Sequence, residues 1–348
     1  MKIAIINDTH FGIRNDSPFF LENSLKFFED MFFPYLKENN ITNIIHLGDL
    51  LDRRKFVNFS TLSQVRQRFF EPLKNINMHI VVGNHDTYYK NTNKLNSITE
   101  LFKDFGANIN IIENPTKVDF DGLCVGLVPW ISKDNEDDCL KFIQKCDCPI
   151  LMGHFEIMGF QVINGVIHHQ GITEKEFKRF ELVLSGHFHL KQCGNNILYL
   201  GTQYELNYGD VNSQKGFHVF DTSTREVTFI ENPNKMFHVI KYDDSTDKID
   251  VLIKSDLSKY NNCFVKVVVG NKSKPFTFDK FMDDLYDVGP HDISIVEDYQ
   301  EKINEITIDI TEDTLSIINK EIDSLDKVQD KSKLKVIIKE LYMESLTL

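Results

Sequence analysis

A short run rich in Ile and Val, then a polar cluster, then an amphipathic stretch: this unit recurs through the first two thirds of the chain and constrains the fold more than any other feature. Branched apolar runs bounded by turn residues read as buried strands, and helical spacing fills the gaps between them. Strands are expected at 2–7, 43–47, 79–82, 123–128, 149–152, 182–184, 197–200, 216–221 and 226–230. Helices are expected at the Phe-rich stretch 19–39, at 60–74 through Leu62, Val65, Phe69 and Leu73, and at 95–105 through Leu95, Ile98, Leu101, Phe102 and Phe105. The fold class is α/β.

The turn residues Glu231-Asn232-Pro233-Asn234 break this pattern. A smaller α/β unit follows, with strands at 237–242, 264–269, 293–296 and 306–310 and a helix near 278–286. Past Thr311, Leu315, Ile318, Ile322, Leu325 and Val328 recur at helical spacing, and Leu334, Ile337 and Leu341 continue them. The expected domains are 1–232, 233–310 and a helical tail at 311–348.

Composition excludes several classes. No apolar run approaches the roughly 20 residues that a membrane helix needs, so a soluble, cytoplasmic protein is expected. Six cysteines in 348 residues are too sparse for a disulfide framework, and free thiols are expected. The net charge of −13 argues against coating DNA by bulk electrostatics. Yet no arginine lies beyond Glu231, and Arg53-Arg54-Lys55 with Arg66 and Arg68 leaves a local phosphate-facing patch open in the first domain. The lone Trp130 suits either packing against the second domain or stacking on a base.

The chemistry concentrates where strands end. Asp8-Thr9-His10, Gly48-Asp49, Gly83-Asn84-His85-Asp86, Gly153-His154 and Gly186-His187-Phe188-His189 each follow an expected strand. Open α/β sheets place their sites at the carboxyl ends of strands, where loops can converge without disturbing the core. Oxygen from Asp and Asn with nitrogen from His, and no Cys, suits Mn²⁺, Fe or Zn better than Mg²⁺ or Ca²⁺ alone. The ligands suffice for two ions, and a carboxylate such as Asp49 can bridge metals about 3.5–4 Å apart. Glycine before most of these ligands allows a tight turn out of the strand.

These five elements, in this order, resemble the signature of calcineurin-like metallophosphoesterases across residues 1–230. Within that superfamily, Gly201-Thr202, Lys215-Gly216-Phe217 and the added cap and tail resemble SbcD-type DNA repair nucleases, most of all the recombination endonuclease subunits of tailed phages. The resemblance implies two packed mixed β-sheets flanked by helices. It implies a first metal on Asp8, His10, Asp49 and His189, and a second on Asp49, Asn84, His154 and His187. His85 would act on the leaving group, with Asp86 orienting it. Related archaeal and eukaryal enzymes carry a histidine where this chain has Asp52, which is then expected to orient a neighbour.

By the same resemblance the chain is a metal-dependent nuclease, with two divalent ions, Mn²⁺ ahead of Mg²⁺. It would act as an exonuclease on double-stranded DNA and an endonuclease on single strands, in recombination and repair. Its partners would be DNA, an SbcC-type coiled-coil ATPase docked by the tail, and a second copy through helices 60–74 and 95–105. A superfamily phosphodiesterase or phosphatase on a small molecule or protein would use the same ligands. The acidic charge suits that alternative, whereas a cap and tail of over 100 residues do not.

Overall fold

The computed structural model describes residues 1–297, apart from 104, 106, 107, 164 and 247, together with Lys331. The expected strand 306–310 and the tail 311–348, Lys331 aside, lie outside the described residues.

In chain order the first strands are β1 (Lys2–Ile6), β2 (Asn43–His46), β3 (Asn77–Val81), a hairpin of β4 (Thr87–Tyr89) and β5 (Thr92–Asn96), β6 (Ile109–Ile112), β7 (Thr116–Phe120) and β8 (Leu123–Val128). Then come β9 (Ile150–Gly153), the pair β10 (Gln161–Ile163) and β11 (Val166–Ile167), β12 (Leu182–Ser185), β13 (Gln192–Gly194), β14 (Ile197–Tyr199), β15 (Gly216–Asp221) and β16 (Val227–Glu231). One six-stranded sheet runs β16-β15-β1-β2-β3-β6 and is parallel from β1 to β6. A second runs β13-β14-β12-β9-β8-β7, parallel from β14 to β8, with antiparallel edges.

Alternation along each strand stacks these sheets. Ile3, Ile5, Ile45 and Val81 enter a core shared with Val125, Leu127, Ile150, Met152 and Leu184. Ala4, Ile6, Ile44 and Ile80 face the other way, into Leu25, Phe28, Phe32, Phe69 and Phe102. Leu151, Val183 and Tyr199 meet Cys139 and Ile143 of the helix Glu136–Lys145. Strands covered on both faces are apolar at most positions, which is why the runs are near-continuous rather than alternating.

The helical layer over the first sheet is built on phenylalanine. Phe28 lies 4.7 Å from Phe69 and 5.5 Å from Phe32, and Phe69 lies 5.2 Å from Phe11, ring centre to ring centre. Each long helix widens into a π-helical segment, Phe28–Phe32 and Val65–Phe70, just ahead of Pro34 and Pro72. Proline has no N–H and crowds the carbonyl four residues back, so the regular ladder cannot be kept there.

Three expectations need correction. The helix expected at 95–105 is Ser97–Phe102, with Leu95 in β5. Asn96 fixes its start, accepting the Thr99 N–H on its side-chain oxygen at 2.9 Å. The apolar residues counted toward a dimer face at 60–74 and 95–105 are largely interior: Leu62, Val65, Phe69, Leu73, Ile98 and Phe102 are all buried. And the thiols are not all free. Strand β8 lies beside β9, which brings Cys124 to Cys148 as a disulfide with the Cα atoms 4.9 Å apart. Cys139, Cys146, Cys193 and Cys263 are free.

Beyond β16, the strands β17 (Phe237–Asp243), β18 (Phe264–Asn271) and β19 (Asp292–Glu297) form a three-stranded sheet. The described residues divide into two compact units, one of Met1–Val239, Asp256–Lys266 and Met282–Ser294, the other of Ile240–Ser255, Val267–Phe281 and Ile295–Glu297. In the second, the Tyr242 ring packs 4.9 Å from Phe278, and the Asp244 carboxylate accepts the N–H groups of Ser273 and Lys274 ahead of the helix Pro275–Asp287. No described helix is long and apolar enough to cross a membrane.

The Phe69 ring anchors the helical layer. Phe69→Ala is expected to cost about 3–5 kcal/mol, the range for emptying a buried aromatic site, read as a lower denaturant midpoint at unchanged slope.

Candidate metal centre

The three parallel strands β1, β2 and β3 and the two parallel strands β9 and β12 each end in one of the polar clusters. Asp8, His10, Asp49 and His187 all take left-handed backbone angles, with φ of 49°, 43°, 57° and 86°. Each such residue costs roughly 1–3 kcal/mol. Cross-loop hydrogen bonds hold them there: Asp8 N–H to the Gly48 carbonyl at 2.9 Å, His10 N–H to the Asp49 carbonyl at 3.1 Å, and His187 N–H to Asp8 Oδ2 at 2.9 Å. Only Gly48, at φ 92°, answers the expectation that glycine permits the turn. Gly83 serves close approach instead, since a Cβ there would lie 2.3 Å from both the backbone nitrogen and Oδ1 of Asp49.

Two groups of ligand-type side chains result. In the first, Asp8, His10 and His189 come together, with the two Nε2 atoms 3.2 Å apart and Asp8 Oδ1 3.9 Å from His10 Nε2. In the second, Asp49 and His154 join His187, and Asn84 Oδ1 lies 2.8 Å from His154 Nε2 and 3.0 Å from His187 Nδ1. Asp49 stands between them. Its Oδ1 accepts the His85 N–H at 2.7 Å, while its Oδ2 lies 3.4 Å from His154 Nε2 and 3.8 Å from His10 Nε2.

This arrangement calls for positive charge. His154 Nδ1 donates to the Leu47 carbonyl at 2.7 Å, so the neutral ring points a lone pair from Nε2 at two oxygens. A proton or a cation must lie between them. Burial pulls His154 down, but Asp49 and then Asp8 outweigh it and push it up to about 9; at His10, burial is outweighed by Asp52, Asp49 and Asp8, again up to about 9. His187 and His189 go well below the usual histidine range, through burial first and then the neighbouring His154 and His10 respectively. Oxygen and nitrogen donors without thiolate, around a site that demands positive charge, fit divalent ions.

The remaining expected residues fall around this centre. Asp52 sets its Oδ1 3.2 Å from His10 Nδ1, and its backbone carbonyl accepts from His85 Nδ1 at 2.5 Å. His85 thus takes its orientation from Asp52, and its ring lies edge-on to His10 at 4.7 Å. Asp86 does not supply it. The Asp86 carboxylate is buried and accepts the backbone N–H groups of Gly83, Asp49, Leu50 and Leu51. Burial, and next the charge of Asp49, push its pKa up to about 7.

Sequence reasoning used Lys215 as part of a family motif without giving it a role. Lys215 is fully buried, and its Nζ donates to the His189 carbonyl at 2.9 Å, to Thr202 Oγ1 at 2.8 Å and to Asp210 Oδ1 at 2.5 Å. A lysine opening an apolar strand, after a threonine that follows the last histidines, was the available signal. Trp130 packs against the centre itself, 5.0 Å from the His187 ring and 5.9 Å from His154.

Residues 1–191 match the model of the calcineurin-like phosphoesterase family. The chain belongs to that family. Exonuclease subunit 1 of Enterobacteria phage T4 is 32% identical over 310 residues, 87% of this chain and 88% of that protein. Phosphoesterase 078R of Invertebrate iridescent virus 3 is 24% identical over 219 residues, 60% of this chain and 59% of that one. Among solved structures, an archaeal phosphodiesterase superposes with a TM-score of 0.34 at 17% identity, over 67% of this chain and all of the other. As a calcineurin-like phosphoesterase, the chain is a metal-dependent hydrolase whose family uses divalent ions.

For this phosphoesterase, Lys215→Met strands the buried Asp210 carboxylate and is expected to cost about 3–5 kcal/mol in urea unfolding. Adding Asp210→Asn to it should recover a large part of that loss.

Proposed function

We propose that this phosphoesterase is the nuclease subunit of a DNA-processing complex, cleaving double strands exonucleolytically and single strands endonucleolytically. In this reading an SbcC-type ATPase is its partner in recombination and repair. The observation that carries the two-ion reading is Asp49 Oδ2, set between two histidine groups and within 4 Å of a nitrogen in each. Asp8, His10, Asp49 and His189 would hold one ion, and Asp49, Asn84, His154 and His187 the other. The mixed nitrogen and oxygen donors favour Mn²⁺ over Mg²⁺. Bound there, the ions supply Lewis-acid charge against phosphoryl oxygens and a nucleophile at neutral pH.

The protein's own groups do the rest. With His85 Nδ1–H donated to the Asp52 carbonyl, Nε2 is the atom that can hold a proton for the departing oxygen or place positive charge beside it. The likeness to T4 exonuclease subunit 1, along nearly the whole of both chains, supports a nucleic-acid substrate and a partner subunit. Assembly through 60–74 and 95–105 belongs to the same reading; exposed Leu95, and Phe59 just ahead of the first segment, are apolar surface remaining there.

Two substitutions separate binding from chemistry. Asp49→Asn is expected to release both ions, read by metal analysis after gel filtration, and to abolish Mn²⁺-dependent loss of labelled DNA. His85→Gln should keep both ions and lose about 10²–10⁴-fold in cleavage rate, the span of general acid–base contributions. If purified protein with Mn²⁺ turned over bis-nitrophenyl phosphate and left DNA intact, with and without the co-expressed ATPase, the nuclease reading would fail.

A further inference from the structure

A cavity of about 580 Å³ has Trp130, the ring beside His187, in its lining. That is the size range of small-molecule sites. The helix Glu136–Lys145 presents Glu136, Leu140 and Gln144 to it at four-residue intervals, and Gly171, Ile172 and Thr173 line it from a second segment. Trp130 therefore belongs to two places at once: it packs on the His187 ring of the centre and forms a wall of the cavity.

Its chemistry selects the occupant. Trp130, Leu140 and Ile172 provide apolar surface, while Glu136, Glu156 and Glu176 provide three carboxylates against one cation, Lys133. Phosphate would be repelled from such a lining. A flat neutral ring that stacks on indole and offers amine hydrogens would be held, since base–aromatic stacking is worth about 1–3 kcal/mol and a carboxylate accepts well from the exocyclic amine of cytosine. Glu156 is partly fixed for this, with His168 Nε2 3.0 Å from its Oε1.

We propose that the cavity beside Trp130 receives the nucleobase next to the scissile phosphate and selects bases bearing an exocyclic amine over thymine. The proposal rests on the nuclease reading and adds a specificity element to it. The phosphate stays at the metal centre, and the base turns away from it past the indole.

The test uses the full chain with Mn²⁺ and single-stranded (dC) and (dT) oligonucleotides of equal length, with bis-nitrophenyl phosphate as a substrate that has no base. The wild type should cleave (dC) about tenfold faster than (dT). Leu140→Trp, or Gln144→Trp should the first not fold by thermal melting, sets an indole into the space for the base and should bring that ratio close to one. Equal wild-type rates on the two oligonucleotides, or a ratio unchanged in both folded variants, would overturn the base pocket while leaving the nuclease reading standing. Turnover of the small ester with neither oligonucleotide cleaved would overturn both.

Discussion

Four backbone N–H groups converge on one buried carboxylate. Asp86 takes those of Gly83, Asp49, Leu50 and Leu51, and so binds the loop after β2 to the loop after β3. Taking a carboxylate out of water costs several kcal/mol, and hydrogen bonds to a charged group return roughly 1.5–3 kcal/mol each. The four bonds offset that cost in part, and burial with the charge of Asp49 still outweighs them, leaving the carboxyl raised to about 7. Asp49, Asn84 and His85 inherit their positions from this knot, because each lies within three residues of an N–H that Asp86 holds.

The sheets set the coarse geometry that Asp86 refines. Two sheets that are parallel through the site-bearing strands send five turns to the same edges, and those turns are short and left-handed at Asp8, His10, Asp49 and His187. Backbone held this way is unfavourable in isolation. It persists because each strained residue is hydrogen-bonded to a turn from another strand, so the ligand loops order one another. Lys215 extends the same logic beyond the turns, tying the His189 carbonyl to Thr202 and Asp210.

Much of this was legible in the sequence, and the limits have physical causes. Strands buried on both faces announce themselves as largely apolar runs, and β8 begins and ends where its run does. Edge and hairpin strands such as β5, β7 and β13 do not, because one face is polar and the segment reads as loop. The helix at 95–105 was overdrawn because Leu95 continues its stripe; the side-chain cap at Asn96 overrides the spacing. Candidate ligand residues follow from type and position at strand ends, whereas most of the contacts that support them do not. Spacing cannot reveal that a carboxylate next to His85 serves backbone amides rather than the imidazole. Nor can it reveal that Cys124 and Cys148, 24 residues apart, face each other across neighbouring strands.

Asp52 speaks with two voices. Its side chain addresses His10, but it is the main-chain carbonyl that orients His85. A carbonyl is common to all twenty residues. Replacement of this aspartate during descent would therefore alter the environment of His10 while the restraint on His85 passed unchanged to whatever side chain followed. The orientation of His85 is thus inherited through the path of the chain, and no comparison of residue identities at this position would record it.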